Sequence, residues 1–287
     1  MAIMSRAAST DSPTAGPAAP RASDTTFFFA VALTLCWVAL LPPSLAALGV
    51  LDGAPEEYMA GAPLAVFGPT IAAVLAARRE GGWAAVRETF RGFRAWRVHP
   101  IWWVLALALP TLVYVTMRAV AALAPGLDAG GWIYLPERPE NVAALFVVPL
   151  CEEIGWRGYA LPRLIARHGA HRATAILGVV WALWHVPMFV GTGMAPLAIV
   201  AGLVMILFGN VVYTWLYRRT GGSLLLAWLF HFGAHLQNPT LALPQNAVPL
   251  YLLAAGWALL AIAVLALDRR AFEGRTPEAP GTPPARR

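Results

Sequence analysis

An all-α, polytopic membrane protein with about eight transmembrane helices, N-in and C-in, is the fold class this sequence predicts, and three observations predict it. Of 287 residues, 59% are hydrophobic and 13% charged, about half the charged share of a soluble domain, which excludes an ordinary soluble enzyme and a disordered chain. Apolar segments recur along the chain at close to the roughly 20 residues that a hydrocarbon core of about 30 Å requires. Arginine is concentrated in every second connection between them, as the positive-inside bias demands.

The segments run over approximately 27–50, 60–77, 101–117, 141–162, 173–190, 195–217, 222–237 and 248–267, the seventh being the weakest as a lipid-facing span. Residues 1–26 are rich in Ala, Pro, Ser and Thr and are expected to be a disordered tail. Residues 268–287 repeat that composition with Arg269, Arg270, Arg275, Arg286 and Arg287, a basic cytoplasmic tail. Residues 27–267 are the expected transmembrane domain. A second reading makes span one a signal peptide, because Ser44-Leu45-Ala46 resembles a cleavage site.

The connections test this parse. Arg78, Arg79, Arg87, Arg91, Arg94 and Arg97 follow the second span, Arg163, Arg167 and Arg172 the fourth, and Arg218 and Arg219 the sixth. The intervening connections are acidic, mixed or uncharged: Asp52, Glu56 and Glu57, then Arg118 with Asp128 and Glu137, then none in 191–194 or 238–247. The 21 basic residues, all Arg, against 15 acidic ones give a net charge of +6. That excess is expected to meet anionic headgroups of a bacterial plasma membrane at the cytoplasmic face, not nucleic acid. Within 81–97, Trp83, Val86, Phe90 and Phe93 recur at helical spacing opposite Arg87, Arg91 and Arg94, which reads as an interfacial helix. Cys36 and Cys151 sit in apolar runs and read as packing residues.

Ionisable groups inside the spans carry the chemistry. They are Glu152, Glu153 and Arg157 in the fourth, His185 in the fifth, and His231 and His235 in the seventh. An unpaired charge at the bilayer centre costs about 2.5 to 3.5 kcal/mol, so such groups are functional by default. Counted from the cytoplasmic ends of their spans, Glu153, His185 and His231 lie at depths of roughly 15, 20 and 14 Å, close enough in level to form one site. Glu153 and Arg157 are i and i+4 with the acid first, the orientation of a same-face pair. Glu152, about 100° around the helix, is then free to act as a base. His231 and His235 also share a face, with Asn238 beyond them.

No His-Glu-x-x-His, Gly-x-Ser-x-Gly, P-loop or GxGxxG motif occurs. A carboxylate base with histidines, and no activated Ser or Cys, points to attack of an activated water on a carbonyl, most naturally hydrolysis of a peptide bond. His185, His231, His235 and Glu152 could equally ligate zinc; none of the cofactors is favoured. Asn210 is expected to make an interhelical hydrogen bond, and Pro42, Pro110, Pro149 and Pro187 to kink helices around a cavity.

The run Glu152-Glu153-Ile154-Gly155-Trp156-Arg157-Gly158-Tyr159, followed by Pro162, resembles the EExxxR motif of the CPBP family, which includes the type II CAAX prenyl endopeptidases and the Abi and lysostaphin-resistance proteins. Trp181-Ala182-Leu183-Trp184-His185 is similar to its FxxxH motif with Trp for Phe. His231-Phe232-Gly233-Ala234-His235 stands where the family has HxxxN or HxxxD, and Arg219-Thr220-Gly221-Gly222-Ser223-Leu224 matches the approach to it. The similarity covers 141–238. It implies an eight-helix intramembrane endopeptidase acting on membrane-associated, CAAX-type or other peptides. By that resemblance Glu152 activates water with His185, Glu153 and Arg157 hold the constellation, and His231 with His235 stabilises the oxyanion. His235 departs from the family pattern. Two other readings stand beside this one: a non-catalytic immunity or membrane chaperone-like protein on the same scaffold, and a proton-coupled transporter, against which the lack of an internal repeat counts.

Overall fold

A computed structural model describes residues 22–123, 139–236 and 249–274. The remainder, including residues 1–21 of the expected N-terminal tail, Asn238 and most of the basic C-terminal tail, lies outside the described residues. Among the described residues the regular elements are all helical: α1 (Ala22–Ala47), α2 (Ala62–Thr89), α3 (Pro100–Leu123), α4 (Pro139–Glu153), α5 (Leu161–His168), α6 (Ala170–Gly191), α7 (Pro196–Arg219), α8 (Leu224–Leu236) and α9 (Leu250–Leu267). The all-α polytopic fold read from the sequence is therefore the fold observed.

Six of these units, α1, α2 with its flanking 3₁₀ turns, α3, α6, α7 and α9, are long and apolar enough to cross a membrane. The other two expected spans differ. Span four is not one α-helix: α4 ends at Glu153, a π-helical turn occupies Ile154–Ala160, and α5 continues from Leu161. Span seven is α8, of 13 residues. Helix α1 already begins at Ala22, inside the stretch read as tail.

Helix α2 is interrupted where the interfacial segment was expected, at Gly81 and Gly82, the latter with φ of 62°. A left-handed residue is tolerated there because glycine lacks a Cβ. Beyond the break Val86 is buried, Phe90 and Phe93 are half-buried, and Arg87, Arg91 and Arg94 are exposed, whereas Trp83, expected on the apolar face, is exposed under the Arg78 guanidinium.

The basic connections gather at one end of the bundle. Arg79 lies 4.1 Å over the Phe27 ring at the start of α1. Arg163 of α5 bonds Glu80 of α2 at 2.6 Å, Gly92 abuts Gly222 and Leu224, and Arg219 at the end of α7 pairs with Asp268 after α9. Helix α1 thus starts, and α9 ends, at this same end.

Helix α4 and the π-turn pack against α2, α8 packs against α3 and α4, and α6 and α7 pack together. The approach of α2 to the π-turn is close. A Cβ on Gly155 would fall 2.5 Å from the Pro69 side chain, and one on Gly158 would fall 2.7 Å from the Thr89 carbonyl oxygen. The π-turn interrupts the i→i+4 ladder, and Thr70 of α2 donates to the Cys151 carbonyl just before it at 2.7 Å. All four expected kink positions, Pro42, Pro110, Pro149 and Pro187, lie inside helices, and Pro43 adjoins Pro42 in α1. Ser44 bridges two of these regions by donating to the Leu40 carbonyl at 2.7 Å and the Pro187 carbonyl at 3.0 Å.

Candidate active site

The last turn of α4 presents Glu152 and Glu153, both buried, in two directions. Across the π-turn Arg157 donates through Nη1 to Glu153 Oε1 at 2.8 Å. Its Nη2 donates to Asn210 Oδ1 of α7 at 3.0 Å, and Asn210 Nδ2 donates to the Thr174 carbonyl of α6 at 2.7 Å. The guanidinium lies 4.3 Å from the centroids of both the Trp181 and Tyr213 rings, which meet each other edge to face. Desolvating such an ion pair costs several kcal/mol per ion unless further partners offset it. Two desolvated cation–π contacts, each worth about 2 kcal/mol, and the Asn210 bond are those partners here.

Glu153 also holds α8. His231 Nδ1 lies 2.8 Å from the same Oε1. That oxygen already accepts from Arg157, so His231 donates, its proton is placed on Nδ1, and Nε2 keeps its lone pair. A carboxylate that orients an imidazole in this way sets its tautomer and its angle.

Glu152 has a different environment. Trp181 Nε1 donates to its Oε2 at 2.8 Å, and His185 donates through Nδ1 to the Trp181 carbonyl at 2.8 Å, again leaving Nε2 as an acceptor. The Trp184 ring stands edge-on to His185 with centroids 4.8 Å apart. Glu152, His185, His231 and His235 line one cavity of about 250 Å³, whose remaining wall is mostly apolar, with Met59, Phe189, Met205, Leu253 and Trp257 in it; Glu153 and Arg157 lie behind that wall. Such a cavity keeps the local dielectric low and strengthens every interaction of the carboxylate.

The six residues singled out from the sequence are thus assembled from α4, the π-turn, α6 and α8. They form two layers, with Glu152, His185, His231 and His235 on the cavity and Glu153 and Arg157 beneath it. The shared depth expected for three helices places them in contact range. Asn210 makes the expected interhelical bond, to Arg157 as well as to α6. Tyr213, Thr174 and the π-turn escaped the sequence reading. Tyr213 looks like one more aromatic of an apolar helix, and only its place against the Arg157 guanidinium and Trp181 distinguishes it.

Glu152, His231 and His235 each offer a ligand atom, and these atoms lie within 4.8 Å of one another. A carboxylate with two imidazoles, one oriented by a further carboxylate, fits zinc in donor type and in outer-shell support. His185 is not part of that group.

Residues 138–237 match the family model described as type II CAAX prenyl endopeptidase Rce1-like. Among curated proteins, the chain is 29% identical over 153 residues to a "CAAX prenyl protease 2" of Methanococcus maripaludis. That alignment covers 50% of this chain and 55% of the relative, so the chain spans about half the length of the curated relative it matches. The matched segment begins just before α4 and ends just after α8, and it contains every residue of the constellation. The family-model match and the site geometry coincide: residues 138–237, which carry the candidate site, are similar to type II CAAX prenyl endopeptidases of the Rce1-like kind.

Proposed function

We propose that this integral membrane protein is an intramembrane endopeptidase that hydrolyses a peptide bond of a membrane-associated peptide, with Glu152 as the base. The observation that carries the reading is the pair of carboxylates with opposite fates. Glu153 is bound up by Arg157 and His231, while Glu152 stands on the cavity wall with one oxygen held by Trp181.

In this scheme a water in the cavity bonds to Glu152 and to His185 Nε2, both acceptors. Glu152 takes one of its protons as the water oxygen attacks the scissile carbonyl, and returns that proton to the departing amine. His235, whose Nδ1 is buried without a partner among the described residues, supplies an N–H to the oxyanion, and His231 stands beside it at 4.5 Å between ring centroids. Glu153, Arg157, Asn210, Trp181 and Tyr213 hold these groups in place. Should zinc be bound, Glu152, His231 and His235 would hold it, and the ion would supply a Lewis acid for the carbonyl while Glu152, then a ligand, would no longer be free to take the proton. The favoured chemistry is the metal-independent one.

The apolar lining suits a substrate presented from the membrane, of which CAAX-type C-terminal peptides are one class. We place the basic end of the bundle at the cytoplasmic face, so that the termini are N-in and C-in. The test is cleavage of a library of membrane-anchored peptides by the purified chain in a bilayer, wild type against Glu152→Gln. The variant should fold, because an amide fits the same space, and should lose about 10²- to 10⁴-fold in rate, because it cannot accept a proton. Retained cleavage removes Glu152 as the base, and a wild type that cleaves nothing favours a non-catalytic role for the scaffold.

A further inference from the structure

His235 stands where the related motif carries an amide or a carboxylate, and this exchange changes what the cavity can bind. An amide oxygen is a poor ligand for a borderline metal ion, whereas imidazole is a good one. Beside His235 are His231, whose Nε2 keeps a lone pair because Nδ1 donates to Glu153, and Glu152, whose Oε2 accepts from Trp181. The ligand atoms of the three lie within 4.8 Å of one another. Tetrahedral zinc with bonds of about 2.0 to 2.1 Å sets its ligands about 3.3 Å apart, so side-chain rotations that draw the groups together by about 1.5 Å or less complete the site. A second observation points the same way. His235 is nine-tenths buried, and its Nδ1 has no hydrogen-bond partner among the described residues, a state that is normally avoided for a buried polar atom.

We propose that Glu152, His231 and His235 form a site for a first-row divalent transition metal ion, zinc foremost, that His235 is the residue that creates it, and that the ion competes with the reacting water for Glu152. Only the competition rests on the peptidase reading; the site itself does not. The competition follows from the carboxylate inventory of the cavity. A metal-assisted hydrolase keeps a carboxylate free beside the ion to move the proton. Here Glu152 would be a ligand, and Glu153 does not line the cavity and is bonded to Arg157 and His231. The loaded form thus holds a metal where the base should be.

The experiment is metal binding by the purified full chain after chelation, without peptide present. Cobalt(II) is titrated and followed by the visible bands of a tetrahedral complex, and zinc is then used to displace it. The wild type should take up one ion, and His235→Asn should bind at least tenfold more weakly. Thermal unfolding should rise with zinc in the wild type and much less in His235→Asn, since a ligand specific to the native state stabilises it by mass action. No uptake by a folded wild type, or equal affinity in His235→Asn, overturns the site. In a parallel peptide assay the wild-type rate should fall along the same zinc titration and recover with chelator. A rate that rises with zinc and is lost to chelator overturns the competition and makes the ion the catalyst.

Discussion

The six long helices and the shorter motif-bearing units solve opposite problems. In α1 and α9 the spanning windows are 28% and 33% buried within the protein, with Val38, Leu259 and Ile262 exposed for lipid to cover. Their stability needs little from neighbours, because hydrocarbon is as good a surrounding for Leu as another helix is. The α4–π-turn unit and α8 carry Glu152, Glu153, Arg157, His231 and His235, all buried, and lipid would be a hostile surrounding for each of them. The short units are therefore enclosed by α2, α3, α6 and α7. Length was given up where neighbouring helices support the unit, and its ionisable groups turn toward those helices or the cavity.

Several measurements would break or sharpen this contrast. The largest effect on stability should come from Arg157→Ala, which leaves Glu153 buried with half its compensation and costs about 3 to 5 kcal/mol. Melting temperature and activity should fall together. A fully stable, active Arg157→Ala would show that the enclosed region tolerates an unpaired carboxylate as lipid does not. Gly155→Ala should cost about 1 to 3 kcal/mol through overpacking, since its Cβ would meet Pro69 at 2.5 Å. Unchanged melting there would mean that α2 and the π-turn are not in close apposition.

The smallest effect is expected at the rim, in the region of the long helices. Arg219 pairs with Asp268 and holds its carboxyl below the usual carboxylate range, with Trp215 donating to it as well. Arg219→Ala should cost about 1 kcal/mol or less at neutral pH, as partly exposed pairs do. Because the folded-state value is depressed, this stability is present above about pH 4 and is lost as the pH falls through the lower value. Melting curves of wild type and Arg219→Ala should differ slightly at pH 7 and converge once the pH falls below the lowered folded-state value. A difference that persists at low pH would assign the effect to packing of the arginine stem.

How much of this was legible in the chain varies with the range of the signal. Glu153 and Arg157 were read as a pair because i,i+4 spacing is a local property, and the pair forms at 2.8 Å even though the backbone between them is π-helical. Asn210 was legible as a polar residue in an apolar span, but its partners were not, since Arg157 and Thr174 lie 53 and 36 residues away in sequence. The Tyr213 contact with the Arg157 guanidinium left no trace at all. Aromatic residues are common in apolar helices, and nothing local separates a ring that faces a guanidinium from one that faces lipid.

By itself the sequence determined the quantities that depend on composition and on neighbours along the chain: a membrane-spanning, all-helical chain, the alternation of basic connections, and the motif-bearing stretch with its six ionisable residues. The bilayer makes these readable, because it imposes a length and a polarity on every segment that crosses it. Tertiary structure alone decided which carboxylate is sequestered and which faces the cavity, which histidines join Glu152 and which one does not, and where the fourth span breaks into α4, a π-turn and α5. Those outcomes depend on helix rotation and on close contacts such as Pro69 against Gly155, and a rotation is set by everything packed around a helix, not by the residues that compose it.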